Sequence, residues 1–193
     1  MRIFYFYLKF GVISMEIPSA DSVFDVAEWF LDTALNDGEY LQPMKMQYLM
    51  YLAQGYYAAV TGGKRFVPAV FLATERGPVE PNSYRIYGSQ RPVLQYRSMP
   101  RGTQSFLQTI WARFGAYSPD YICRLISTHA PYAEAFAAGG GSEIDIAAMA
   151  DYYARKTTGD ERLKTAASDG GTRILRSQSG KAVAVKKWLP PKK

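Results

Sequence analysis

Residues 42–60 read QPMKMQYLMYLAQGYYAAV, and the polarity of this stretch decides what kind of fold the chain makes. Pro43 suits the first position of a helix, where its missing N–H costs nothing, and Gly62-Gly63 stops the helix at its far end. Between them Lys45, Gln47 and Gln54 are the only strongly polar side chains. A helix apolar on every side has to be surrounded by the rest of the chain, so the stretch predicts a central, buried helix. Its Met and Tyr residues read as core, since Met fills irregular gaps; the alternative is a Met and aromatic box around a cofactor.

Upstream, Ser22 to Asp37 predicts a first helix. Asp21 or Ser22 caps it, Asp25 stands in a near capping-box position, and Phe24, Ala27, Leu31, Ala34 and Leu35 form its apolar stripe. Asp21, Asp25, Glu28 and Asp32 follow one another at spacings of four, three and four, so they share a face. That face reads first as a solvated one favoured by the helix dipole. An acidic stripe that docks a basic partner is the second reading, and paired carboxylates for acid-base or metal work the third.

Downstream, RFVPAVFLA (65–73) is β-prone, and Pro68 limits it to an edge strand or extended segment. ATERGPVEPNSY (73–84) follows as a proline-braced turn that presents Val79, Glu80 and Tyr84, and then NSYRIYG as a short helical turn. Residues 89–101 are irregular. Thr103 to Phe114 has a helical pattern with Phe106, Leu107, Ile110, Trp111 and Phe114 on one side. SPDYICRLISTH starts a short helix with Ser118 as N-cap and Pro119 at the first position, ending near a second proline turn, HAPY. Gly139 to Gly141 make a joint, and IDIAAMADYYARK forms a last amphipathic helix. Beyond it RILRSQSGKAVAV fits a hairpin across Gln178–Gly180, and KKWLPPKK reads as disordered.

A chain of 193 residues with 48% hydrophobic and 15% aromatic content supports one packed core with extensions. The expected fold is mainly α, a compact helical globular domain around the buried central helix, with a short β segment or hairpin and the proline-braced turn. Residues 1–20 are an N-terminal arm or misassigned start, 21–157 the domain, and 158–193 a basic extension. The opening MRIFYFYLKF is broken by Lys9, too short to span a bilayer, and followed by no convincing cleavage site. No other stretch suggests a membrane span.

Net charge is +6 and unevenly placed: from Arg155 onward there are 11 Lys/Arg against 3 Asp/Glu. Residues 64–113 hold eight Lys/Arg, with only Glu75 and Glu80 opposing them. Such asymmetry suits charged partners. A basic tail with Trp188 is able to track nucleic acid through its backbone charge, although no nucleic-acid-binding motif accompanies it. The single cysteine, Cys123, precludes an internal disulfide and fits a reducing cytosol. The 15 tyrosines favour recognition surfaces.

Catalytic readings find little footing. His129 is the only histidine, and on a continuous helix six residues would set it well apart from Cys123. No nucleophile-elbow pattern is present, and one His with one Cys is a poor zinc set. His129 reads as a structural residue capping or bracing the turn before Pro131. TGGKR (61–65) lacks the glycine spacing, the hydroxyl residue and the preceding strand of a phosphate loop; it is a helix stop. Neither catalytic residue, cofactor nor metal is expected.

Taken together, PMKMQYLMYLAQGYY and GPVEPNSY form a linked pair of motifs. The chain resembles the Panacea domain, the SocA-like antitoxin domain of bacterial and phage toxin–antitoxin systems. In that family the helix commonly reads P-x-K-L-Q-K-L-L-Y-x-x-Q-G and the turn A-W-x-x-G-P-V-x-P-x-x-Y. Pro43, Lys45, Gln47, Leu49, Tyr51, Gln54, Gly55, Tyr56, Gly77, Pro78, Val79, Pro81 and Tyr84 match. STHAPYAEA, with His129, is similar to a T-H-x-x-x-W segment, and IAAMADYY to the closing helix, so the resemblance spans about 21–155. Thr74 and Tyr132 depart from it, standing where the family commonly has Trp.

The resemblance implies a non-enzymatic antitoxin that binds a cognate toxin protein directly, either blocking it or handing it to a protease system, in the cytoplasm. The contacts are expected around Glu80, Arg85, Arg91, Arg97 and Arg101, because loops on a rigid scaffold carry recognition. The competing surface is the acidic first helix, and the competing function a nucleic-acid-binding regulator working through the basic tail.

Overall fold

The polarity of residues 42–60 is explained by their surroundings. In the computed structural model they form helix α2 (Pro43–Thr61), and every residue from Lys45 to Ala58 is buried. Pro43 opens the helix and Gly62, in the left-handed conformation, ends it. The structure describes residues 18–93 and 99–168, together with the backbone of two strands at 173–176 and 182–185.

Seven further helices stand among the described residues: α1 (Val23–Asn36), α3 (Pro81–Tyr87), α4 (Arg101–Phe114), α5 (Pro119–Ser127), α6 (Ala130–Ala138), α7 (Ile146–Lys156) and α8 (Glu161–Ser168). All but α6 pack on α2. Their ends follow local chemistry. The Ser22 hydroxyl accepts the Phe24 N–H, Ser118 accepts that of Tyr121, and Asp145 accepts that of Ala148, each satisfying a donor the helix leaves unpaired. Around α2 lie Phe30 of α1, Phe106, Leu107 and Ile110 of α4, Ile122 and Ile126 of α5, and Tyr153 of α7, all fully buried. The mainly helical architecture around a central helix is as the sequence predicts.

The sheet is small. Strands β1 (Leu72–Thr74), β2 (Gly77–Val79) and β3 (Ser142–Glu143) run antiparallel in the order β2-β1-β3, with Leu72 opposite Val79 on one side and Glu143 on the other. This corrects the expected edge strand: β1 is central, and Pro68 lies outside it. Pro78 occupies the edge strand β2, where a missing N–H is tolerated. A second antiparallel pair joins β4 (Arg173–Arg176) to β5 (Ala182–Val185), with Arg176 opposite Ala182, in the region where the sequence suggests a hairpin; the expected turn at Gln178–Gly180 lies outside the described residues.

Other expectations are revised. HAPY does not merely turn; Pro131 lies in the first turn of α6. On α1 the buried face is Val23, Val26, Ala27, Glu28, Phe30 and Ala34, while Leu35 is exposed. The packed body is also wider than 21–157. Ala20 is buried and donates its N–H to the Phe66 carbonyl. At the other end Leu163, Ala166 and Ala167 of α8 join the core, so the globule continues to Ser168. Residues 1–17 of the expected arm at 1–20, and the terminus from 186, lie outside the described residues. No helix among the described residues is long and apolar enough to cross a membrane.

Candidate functional site

Three polar residues on an apolar helix have to be satisfied internally, and each of those on α2 ties a different part of the chain to it. Gln47 is fully buried. Its carbonyl oxygen accepts the Glu80 N–H at 2.8 Å and its amide nitrogen donates to the Ser83 hydroxyl at 3.0 Å. Glu80 in turn caps α3: its carboxylate accepts the N–H groups of Asn82 and Ser83 at 3.2 and 2.7 Å. A negative charge at a helix N-terminus is well placed. Gln54 holds the segment after α2, its oxygen accepting from Phe66 and Val67 at 3.1 and 3.2 Å. Lys45 reaches the C-terminal end of α4, donating to the Gly115 carbonyl, with Glu39 at 3.7 Å and the Trp111 ring at 5.6 Å.

The hairpin that follows β1 is fastened equally closely. Tyr48 donates its hydroxyl to the Arg76 carbonyl, and burial raises the Tyr48 pKa well above its ordinary value, so the group stays a donor. Its ring lies under Gly77, where φ is +104° and an added Cβ would stand 2.6 Å from Cε1. Only glycine meets both demands. The two departures from the family pattern touch one another here. Tyr132 donates to the Thr74 carbonyl at 2.6 Å, and the Thr74 hydroxyl closes on the Gly77 carbonyl at 2.8 Å. A tyrosine that both fills space and donates thus meets a threonine that tightens the hairpin.

Gly55 lets α7 approach α2 closely: a Cβ there would stand 2.4 Å from Cε2 of Tyr153. The Tyr153 hydroxyl lies 2.9 Å from Nδ1 of His129, which is buried. Burial, with the Lys156 charge second, lowers the His129 pKa to about 4, so the imidazole is neutral at physiological pH. His129 is the N-cap residue of α6 but makes no side-chain cap; it braces α7 instead. Cys123 turns elsewhere, its Sγ 3.7 Å from the Arg76 carbonyl.

The family-motif residues are therefore brought together, mostly inside. Val79 and Glu80, expected at the surface, are buried, and of that trio only Tyr84 is exposed. Of the expected contacts, Glu80 is occupied in capping α3, and Arg97 lies outside the described residues. Arg91 is engaged as well. It donates to Glu28 through Nε at 2.9 Å and to Asp32 through Nη2 at 2.5 Å. Burial opposes its charge, but the bonds to Asp32 and Glu28 outweigh that and raise its pKa. Glu28 also accepts the Tyr87 hydroxyl at 2.7 Å. The acidic face of α1 is accordingly not a purely solvated one; Glu28 is buried and serves as a latch.

Arg85 and Arg101 are exposed. Arg85 shares an open groove of about 530 Å³ with Tyr40, Pro43, Met44, Arg76 and Tyr84. Tyr40 and Arg76 carried no signal as isolated residues, because what selects them is proximity across the fold. A second groove of similar volume lies beside the start of α1, but Asp21, Arg65 and Glu80 give it mixed charge. No group of three or more potential metal ligands occurs among the described residues. The chain matches no family model, no characterised protein and no solved structure in the comparisons made with each.

Proposed function

We propose that this protein is the antitoxin of a toxin–antitoxin system, a cytoplasmic, non-enzymatic module that neutralises a cognate protein toxin by direct contact. One observation supports this reading above others. Lys45, Gln47, Gln54, Gly55 and Gly77, which carry the resemblance to SocA-like antitoxins, are knitted into an internal frame, and that frame holds an exposed Arg and Tyr surface in fixed geometry. Arg and Tyr side chains on a firmly held backbone are what protein interfaces use as anchors. Blocking the toxin and delivering it to a protease are both compatible with such a surface. Co-expression with the product of the adjacent gene tests the reading: relief of toxicity and a stable complex are expected, and the absence of both overturns it.

A nucleic-acid-binding role for the C-terminal region draws on a separate observation. Its excess of positive charge is carried on a chain that includes the β4–β5 ribbon, and backbone neutralisation alone gives salt-dependent binding. The deletion that tests it has to begin after Ser168, since α8 supplies core residues. Salt-dependent DNA binding lost on that deletion supports the role; no binding, or binding indifferent to salt, removes it.

A further inference from the structure

The groove at the start of α2 has a charge pattern that its neighbours lack. Arg65, Arg91 and Arg113 each meet a carboxylate, at Glu143, Glu28 with Asp32, and Asp160. Arg76 and Arg85 are both exposed, and neither meets one among the described residues. They share the groove with Tyr40, which is 82% exposed, and Tyr84, while no Asp or Glu lines it. We propose that this groove docks an acidic, aromatic-containing segment of a partner protein, with Arg76 and Arg85 taking two separate carboxylates.

Three physical points carry the assignment. A guanidinium offers paired donors that match a carboxylate, and it is weakly hydrated, so leaving water costs it little. The walls are set before binding: the Arg76 carbonyl is held by the Tyr48 hydroxyl, and α3, which bears Tyr84 and Arg85, is fixed through Glu80 to Gln47. Pre-organised walls reduce the ordering cost that otherwise erodes affinity. Finally, the free positive charge is confined. It comes from Arg76 and Arg85 alone, with exposed Glu75 beside Arg76 in the hairpin turn. Two separated cations suit a short segment with a few acidic side chains better than a phosphate backbone, whose charge repeats along its length. The volume lies within the usual range of concave sites.

The identity of the partner as a toxin rests on the antitoxin reading; the chemistry of the groove does not. The test uses the full chain and a fluorescein-labelled octapeptide alternating aspartate or glutamate with phenylalanine, leucine and tyrosine. A lysine-for-acid peptide and an oligothymidine of equal length are the other probes. The acidic peptide is expected to bind in fluorescence anisotropy, to weaken as salt rises, and to lose about tenfold or more in affinity in Arg76→Glu/Arg85→Glu. The same loss is expected in Tyr40→Ser, a second variant at an exposed position. Failure of the acidic peptide to bind, equal binding by the folded variants, or equal binding of the lysine peptide overturns the proposal. So does oligothymidine binding that the same substitutions abolish, which would make this a nucleic-acid surface. In co-expression, rescue by wild type and equally by Arg76→Glu/Arg85→Glu removes the toxin as the occupant of the groove but leaves the antitoxin standing. No rescue by wild type removes the antitoxin, and the peptide titration still decides the groove.

Discussion

Replacing Gly55 by alanine tests how closely α2 and α7 depend on one another. In an isolated helix the change is favourable, worth about 1 kcal/mol from propensity. Here the new Cβ would stand 2.4 Å from Cε2 and 2.6 Å from Cδ2 of Tyr153, a side chain with no exposure. The ring has little room to retreat, since it packs on Tyr51 and Tyr56 and its hydroxyl is tied to His129. Overpacking a core costs about 1–3 kcal/mol, and a weakened buried hydrogen bond adds about 1 kcal/mol more. Net destabilisation of about 1–3 kcal/mol is expected, a fall of roughly 3–10 °C in Tm for a chain of this size. Thermal unfolding followed by far-UV circular dichroism measures it. Gly140→Ala is the control, because nothing lies within 4 Å of its Cβ. If Tyr153 is the obstacle, Gly55→Ala and Tyr153→Phe combine less than additively, because both disturb the His129 bond. A Gly55→Ala protein that melts at or above wild type would refute the reasoning.

The neutral, buried His129 makes stability depend on pH. Its folded pKa of about 4 lies below the unfolded value of about 6.5, so the unfolded chain takes up the proton first as pH falls. The contribution is complete above about pH 6.5, drains away as pH falls towards 4, and amounts to about 3 kcal/mol. In urea unfolding at several pH values, His129→Gln is expected to show a flatter profile than wild type; parallel profiles would sink the assignment. Gln47→Leu strands the buried Glu80 N–H and is expected to cost about 1–3 kcal/mol, with faster hydrogen exchange across residues 80–84. Unchanged protection there contradicts the frame. Arg91→Ala leaves Glu28 buried without its cation and is expected to cost about 1–2 kcal/mol, discounted because Arg91 is partly exposed. The loss should shrink in about 1 M salt, and a salt-independent loss argues for packing instead.

Most of what depends on neighbouring residues along the chain was legible in the sequence. The apolar girth of α2, the proline at its start, the glycine at its end and the caps at Ser22 and Ser118 all act within a turn or two. α8 left a readable local signal as well. Asp160 accepts the Leu163 N–H, and Leu163, Ala166 and Ala167 recur at helical spacing, but the polar composition around them masks it. The proline of HAPY hid α6 for the opposite reason, because a residue that breaks a helix interior also starts a helix.

Tertiary structure decided what distance along the chain conceals. By sequence, Glu28 belongs to an acidic helix face; its burial depends on Tyr87 and Arg91, 59 and 63 residues away. β1 became a central strand only because the two-residue β3 folds back onto it from position 142. Glu80 stands in a turn that looks built to display it, yet Gln47 and the start of α3 draw it inside. The sequence by itself determined that this chain has a buried helix with three polar residues to satisfy. Which groups satisfy them, and which arginines are left facing outward, was decided by where the other helices came to rest, since buried donors and charges take their partners from space rather than from order along the chain.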